Sequence, residues 1–256
     1  MMEELDVTEL LRFIRERNEQ NPAHKLTLFH CVVTALAKTI KLRPKLNYFI
    51  SGNRLFERDK LLFGFVAKRQ FTDHSEESVM VLNCKDEMVL DDISHKIVGD
   101  VKDARTDSKD RNNPADDAMK ILMKLPRFLV KTFVWWQNWS DYHRWYPESL
   151  MKVDFNFCSV LLSNLGSIGC DACYHHLNNF GTNSIVVTIG KTHQKTVVQP
   201  DGSVETRDMC NFAFTIDERI ADGFYFARSI RLFDRIIQHP ELLDAPIKED
   251  LPDELR

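Results

Sequence analysis

The sequence predicts an α+β fold, a mixed sheet flanked by helices, and three observations carry that expectation. The first is Asn211 to Ala227 (NFAFTIDERIADGFYFA), where Phe212, Phe214 and Ile216 alternate as in a half-buried strand. The chain then turns through Asp217-Glu218-Arg219 to Asp222-Gly223 and enters a run of helical spacing. The second is a set of short strand-like runs, and the third is two long stretches near the start that are apolar on one face.

In chain order, Leu5 to Arg17 reads as a helix with Val7, Leu10, Leu11 and Ile14 on one face and Asp6 or Thr8 as cap. Asn21-Pro22 breaks it. Thr27 to Leu42 is a second helix, with Leu28, Val32, Ala35, Leu36, Thr39 and Ile40 inward, stopped at Arg43-Pro44 because a residue before proline leaves helical geometry. Leu46 to Ile50, a turn at Ser51-Gly52-Asn53 and Arg54 to Phe56 make a hairpin. Leu61–Lys68 and Ser78–Asn83 are strands, and Leu90–Ala104 is an amphipathic helix before a charged loop at Asp107–Asp116. A strand is expected over Asp154–Leu162, two more over Ser184–Gly190 and Lys195–Gln199, and a tight turn at Pro200-Asp201-Gly202. The last helix runs from Phe224 to His239, and the acidic tail after Pro240 is expected to be poorly ordered at its end. No repeat or linker divides the 256 residues, so a single domain is expected over 1–256, with 107–150 as an insertion.

A net charge of −4 leaves no electrostatic footprint for nucleic acid. No apolar run has bilayer-spanning length, and the start is acidic, unlike a signal peptide. Cys31, Cys84, Cys158, Cys170, Cys173 and Cys210 are therefore read as reduced thiols in a cytoplasmic protein.

The turn Asp217-Glu218-Arg219-Ile220-Ala221-Asp222-Gly223 carries a resemblance. It is similar to the Asp-His-Arg-x-x-Asp-Gly motif of the 2-oxoacid dehydrogenase acyltransferase catalytic domain, related to chloramphenicol acetyltransferase. Six of seven positions fit, and Glu218 stands where the family has its histidine. A second family signature is Ser163-Asn164-Leu165-Gly166-Ser167-Ile168-Gly169, whose two glycines also suit a plain turn. Pro44, Leu46 and Asn47, and Phe180-Gly181-Thr182 leading into SIVVTIGK, resemble the family as well.

The resemblance implies a chloramphenicol-acetyltransferase-like fold, acyl transfer from an acyl-CoA co-substrate to a small-molecule acceptor, and a homotrimer with sites between subunits. It implies that Ser163 or Asn164 holds the tetrahedral oxyanion, while Arg219, Gly223, Gly166 and Gly169 shape the two motifs. Glu218 replaces the base, which a carboxylate can be only if its pKa is raised by burial; the alternatives are an altered or inactive site. Asp222 is expected to orient the turn through a charge-assisted hydrogen bond. Three departures from the family are expected. There is no lipoyl domain, subunit-binding segment or Ala/Pro-rich linker. The histidine is absent. A strand and helix at the start of the family domain, with an arginine bracing the motif aspartate, are read as missing, so that Arg219 substitutes or the sequence is truncated.

Cys170-Asp-Ala-Cys173-Tyr-His175-His176 gathers two thiols and two imidazoles without the spacing of a zinc site, so no metal is expected. His175 or His176 is an alternative base, or simply a packed loop histidine. Ala118 to Tyr146 holds all four tryptophans beside Lys and Arg, divided by Pro126 into two amphipathic pieces. Three readings stay open for it: packing on the sheet or at a subunit interface, a lid over the site, or contact with a membrane surface.

Overall fold

Strand pairing organises the chain from its far end backwards. In the computed structural model, residues 1–20, 22–68, 77–106, 125–147, 151, 154–198 and 201–252 are described. The longest ladder joins β7 (Ile185–Val198) to β8 (Val204–Ile216) in an antiparallel hairpin. Its turn is tightened by Asp201 Oδ1, which accepts from Ser203 N at 2.9 Å, with Gly202 at φ +83°. β6 (Val160–Asn164) lies parallel to β7 and to β4 (Leu61–Lys68), which pairs antiparallel with β5 (Glu77–Cys84). β1 (Met2–Asp6) completes a six-stranded mixed sheet of order β1-β8-β7-β6-β4-β5. β2 (Tyr48–Ser51) and β3 (Arg54–Glu57) form a separate hairpin.

Helices α1 (Thr8–Glu19), α2 (Leu28–Leu42), α3 (Leu90–Thr106) and α5 (Gly223–Gln238) flank the sheet, and α4 (Arg127–Tyr142) lies on the β2–β3 hairpin. The α+β expectation holds. α2 is buried from His30 to Ile40. Its apolar side chains join Phe63, Leu82, Val160, Val187 and Phe212 of the sheet and Phe226, Phe233 and Ile237 of α5 in one core. Among the described residues no helix is long and apolar enough to cross a membrane.

Four expectations need correction. The first helix is preceded by a strand: charged Met2–Asp6 lacks alternation, yet pairs with Ala213 to Met209, and the Met1 amino group donates to Phe214 O at 2.7 Å. A strand and helix are thus present at the start. Asp154–Phe157 alternates but is a tight turn, because Asp154 Oδ1 accepts from Asn156 N at 2.9 Å, and the strand begins only at Val160. The two segments 184–190 and 195–199 are parts of one 14-residue strand, whose solvated middle hides its continuity. β8 starts at Val204, well before the apolar alternation at Phe212.

The tail after Pro240 is packed as far as Leu251. Ile247 and Leu251 are buried, and the fully buried Lys38 of α2 donates from Nζ to Leu242 O (2.9 Å), Pro246 O (3.2 Å) and Ala245 O (3.4 Å). Its ammonium gathers three carbonyls in and just after the short turn Pro240–Asp244. Residues 253–256, the loop Asp107–Asp116 and the first helical piece before Pro126 lie outside the described residues.

Replacing Lys38 by Met is expected to cost about 1–3 kcal/mol by removing its hydrogen bonds to three carbonyls, two of which, Leu242 O and Pro246 O, keep the Ala245 and Glu249 N–H groups. Thermal denaturation, with limited proteolysis after residue 240, checks it. His30 gives a pH prediction. It is buried in the first turn of α2, its Nδ1 accepts from Thr27 N at 3.3 Å, and burial, aided by His24, lowers its pKa to about 4. A depressed folded-state pKa means stability is full above the unfolded value of about 6.5 and is lost as pH falls towards 4. The loss is on the order of 2–3 kcal/mol, and His30→Gln is expected to flatten it in urea titrations run at several pH values.

Candidate functional site

The two motifs close opposite ends of the same three strands. Val160 of β6 is level with Ile185 of β7, and Ile185 with Ile216 of β8. Asn164 is level with Ile189, and Ile189 with Phe212. Since β8 runs against the other two, its terminal turn at 217–223 lies where β6 begins. The Ser-Asn-Leu-Gly loop lies where β6 ends. The rows differ by four residues, about 13 Å of strand, with Glu218 a further two residues out. Within one chain the structure does not bring Glu218 to Ser163.

At the β8 end, Asp217 anchors the turn. Its N–H donates to Ser184 O at 2.9 Å, and its carboxylate accepts from Arg219 N (3.1 Å), Nε (2.8 Å) and Nη2 (2.6 Å). Partial burial raises the Asp217 carboxyl, but the Arg219 hydrogen bonds and charge outweigh it and the pKa is lowered. Arg219 is therefore engaged by Asp217 and does not brace Asp222. Asp222 is the N-cap of α5: its Oδ1 accepts from Tyr225 N at 2.8 Å, a charge-assisted bond at the positive helix end. Gly223 opens the helix with open space where a Cβ would stand. Glu218, between the clamped Asp217 and Arg219, is exposed.

At the β6 end, Asn164 caps a short 3₁₀ turn, Leu165–Ile168, by accepting from Ser167 N at 3.2 Å through Oδ1. That leaves its Nδ2 as a donor, and the half-buried Ser163 hydroxyl has no hydrogen-bond partner among the described residues. Gly166 permits the turn: a Cβ there would stand 2.4 Å from Gly190 O. Gly169 closes it in the left-handed region at φ +78°. β7 bulges at this level, two residues (Gly190, Lys191) facing Asn211 alone, and Lys191 N donates to Cys170 O at 3.0 Å. Asp171, whose pKa the Ala172 N–H and the Asn211 amide lower, is held by Asn211 Nδ2 at 2.9 and 3.1 Å.

Beyond that anchor the chain runs without helix or strand to Ser184, so His175 and His176 cap no helix. His175 Nδ1 lies 3.4 Å from Thr188 Oγ1 and 3.8 Å from Cys173 Sγ. Thr188 is the register partner of Ser163, so His175 sits on the face of the sheet that Ser163 shares. His176 is exposed. An imidazole, a hydroxyl and an amide thus stand at one end of the strands, and a carboxylate turn at the other. Among the described residues no three His, Cys, Asp or Glu side chains gather as a metal shell, and all six cysteines are free thiols. The sequence reading did not single out Thr188, Asn211 or the Gly190 bulge. The Gly190 contact was marked only by a glycine inside a strand pattern.

α4 approaches the β8 end. Ser51 Oγ donates to Asp141 O at 3.1 Å, and Tyr146 stacks on Phe157, which meets Phe180, at 5.4 and 5.5 Å between centroids. The buried Arg58 guanidinium joins this corner to Phe157 O (2.9 Å) and to Thr182 Oγ1 (2.9 Å). Burial lowers the Arg58 pKa to about 10. Packing of the Trp-rich segment on the sheet is not what the structure has. It rests on the β2–β3 hairpin, with Phe128, Trp135 and Trp145 more than 60% exposed.

Comparison with known proteins follows this geometry. Residues 146–244 match the sequence model of the 2-oxoacid dehydrogenases acyltransferase (catalytic domain) family. A search of curated proteins finds no match. A probable dihydrolipoamide acetyltransferase from Listeria monocytogenes 4b F2365 superposes with a TM-score of 0.66 at 18% identity, over 93% of this chain and 83% of its own. The cubic core of a pyruvate dehydrogenase multienzyme complex gives 0.67 at 16% identity, over 95% and 82%. Chloramphenicol acetyltransferase gives 0.50 at 13% identity, over 93% and 86%. The fold is the chloramphenicol-acetyltransferase-like one, and it extends on both sides of the matched segment.

Gly166→Ala is expected to drive its methyl into the Gly190 carbonyl, lowering stability by about 1–3 kcal/mol and displacing Ser163 and Asn164. A melting curve and any activity that depends on Ser163 check it.

Proposed function

We propose that this chain is one acyltransferase-like domain that moves an acyl group from acyl-CoA to a small thiol, hydroxyl or amine acceptor. It does so in a homotrimer whose site forms between subunits. The observation that carries this reading is the opposition of strand directions: the carboxylate turn and the oxyanion loop end the same strands at opposite edges, so a second copy is needed to join them. A base removes the acceptor proton as the acceptor attacks the thioester carbonyl. The Ser163 hydroxyl or Asn164 Nδ2 hydrogen-bonds the oxygen that becomes negative, and the tetrahedral intermediate collapses with release of the CoA thiol.

Glu218 is the base in this reading. It is exposed in the single chain, and closure by a neighbouring subunit would supply the burial that raises a carboxylate. His175 is the second candidate because it already shares the Ser163 face. The exposed aromatic face of α4, at the Glu218 end, is assigned to the subunit contact, since so large an apolar patch marks an interaction surface. A membrane surface is the weaker assignment for it.

A second reading is a non-catalytic protein that binds CoA or forms a structural oligomer. What favours it is that Glu218 has no partner among the described residues and Arg219 is engaged by Asp217.

Purified protein is expected to have the mass of three chains, and a monomer would overturn the shared site. Glu218→Gln is expected to abolish acyl transfer, and Ser163→Ala to lower kcat by about 10²–10³, both without loss of fold or oligomer. Co-expression of the two variants is the sharper assay. Mixed trimers contain interfaces with both wild-type residues and should regain part of the activity. Failure to complement sinks the shared site, and full activity of Glu218→Gln transfers the base to His175. Acetyl-CoA binding without turnover towards thiols, alcohols and amines would favour the second reading.

A further inference from the structure

We propose that the outer face of α5 is a binding site for a small organic phosphate carrying two or more negative charges, separate from the acyl-transfer residues. Arg228, Arg231 and Arg235 recur at i, i+3 and i+7, the spacing of one helix face. Phe226, Ile230, Phe233 and Ile237 take the buried side. The three guanidiniums line a groove of about 460 Å³ with Arg43, from the end of α2, on the facing wall. The C-terminal tail, fastened by Lys38, closes one side with Asp250 and Leu251.

Charge is the first argument. Four cations and one carboxylate line the groove. Like charges three and four apart weaken a helix by tenths of a kcal/mol each. Elsewhere in the chain Arg12, Arg17, Arg207 and Arg219 all have carboxylate partners. Arg228 and Arg231 are exposed and have no carboxylate partner among the described residues.

Preorganisation is the second. Arg43 Nε donates to Ser229 Oγ at 3.2 Å and Nη2 to Tyr225 O at 3.3 Å, while its guanidinium stacks 3.8 Å over the Tyr225 ring. One cation of the groove is thus fixed before any ligand arrives. Guanidinium groups in such an array match phosphate oxygens in pairs.

The third argument is shape. Leu42, Leu232 and Leu251 line the same groove and offer an apolar wall to the organic part of the ligand. Its volume lies in the range of small-molecule sites. Arg228, the lining arginine nearest the Glu218 turn, is five residues beyond Gly223, about 7 Å along the helix, and Arg231 and Arg235 lie farther still.

The test is calorimetry on the full chain with pyrophosphate and with ADP at fixed salt. Both are expected to bind once per chain, ADP the tighter because the leucines take its base. Arg228→Ala with Arg231→Ala should weaken both at least tenfold at unchanged melting temperature. Binding of neither ligand below millimolar, or equal binding by the double variant, overturns the site. Acetyl-CoA contains the same diphosphate, which separates this proposal from the acyl-transfer reading. An unchanged KM for acetyl-CoA in the double variant supports a distinct groove, whereas a raised KM overturns the separation. The pyrophosphate readout stands even if the protein catalyses nothing.

Discussion

The opposed directions of β7 and β8 are the constraint on which the rest of the molecule depends. A hairpin reverses the chain, so whatever follows β8 must emerge where β7 begins. β6 runs with β7, which sends the loop after Asn164 to the other edge. No side-chain rotamer recovers a separation set by backbone pairing. The chain spends its local chemistry on holding each end firmly. Asp217 and Arg219 close one turn, and Asn164, Gly166 and the Gly190 bulge close the other.

Two buried cations show how the flanks are fixed to that sheet. Among the described residues Lys38 and Arg58 find no buried carboxylate and donate instead to backbone carbonyls and a hydroxyl, with Arg58 Nε left unpartnered. Such an arrangement avoids pairing two desolvated charges, and it joins segments far apart in sequence through groups every residue possesses. Lys38 reaches the tail more than 200 positions away, and Arg58 reaches Phe157 and Thr182. Removing either head group takes a hydrogen bond from several acceptors at once, so these positions tolerate little change.

Much of this was legible in the sequence where periodicity and burial agree. Leu61–Lys68 was read at its true bounds, and the Thr27–Leu42 helix to within a residue, with Thr27 as cap. The turn at 217–223 and the loop at 163–169 were legible through their resemblance to two motifs of the acyltransferase family. What failed was structure imposed from elsewhere. β1 is charged and becomes a strand only through β8, and the outer half of β7 is solvated on a two-stranded ribbon. The separation of the motifs was invisible because strand direction leaves no mark on composition. The arginine face of α5 did leave a mark, at spacing 228, 231 and 235, but its partner Arg43 comes from another helix.

The pairing of β1 with β8 has a kinetic side. Met1 to Asp6 are made more than 200 residues before their partners, Met209 to Phe214. β1 must stay unpaired until β8 is made, and such long-range closure is slow. Its charged composition suits that wait: Glu3, Glu4 and Asp6 keep a bare strand soluble and discourage pairing with the wrong neighbour until β8 appears. The feature that hid β1 from pattern reading is therefore the one that lets it arrive late and unspoiled.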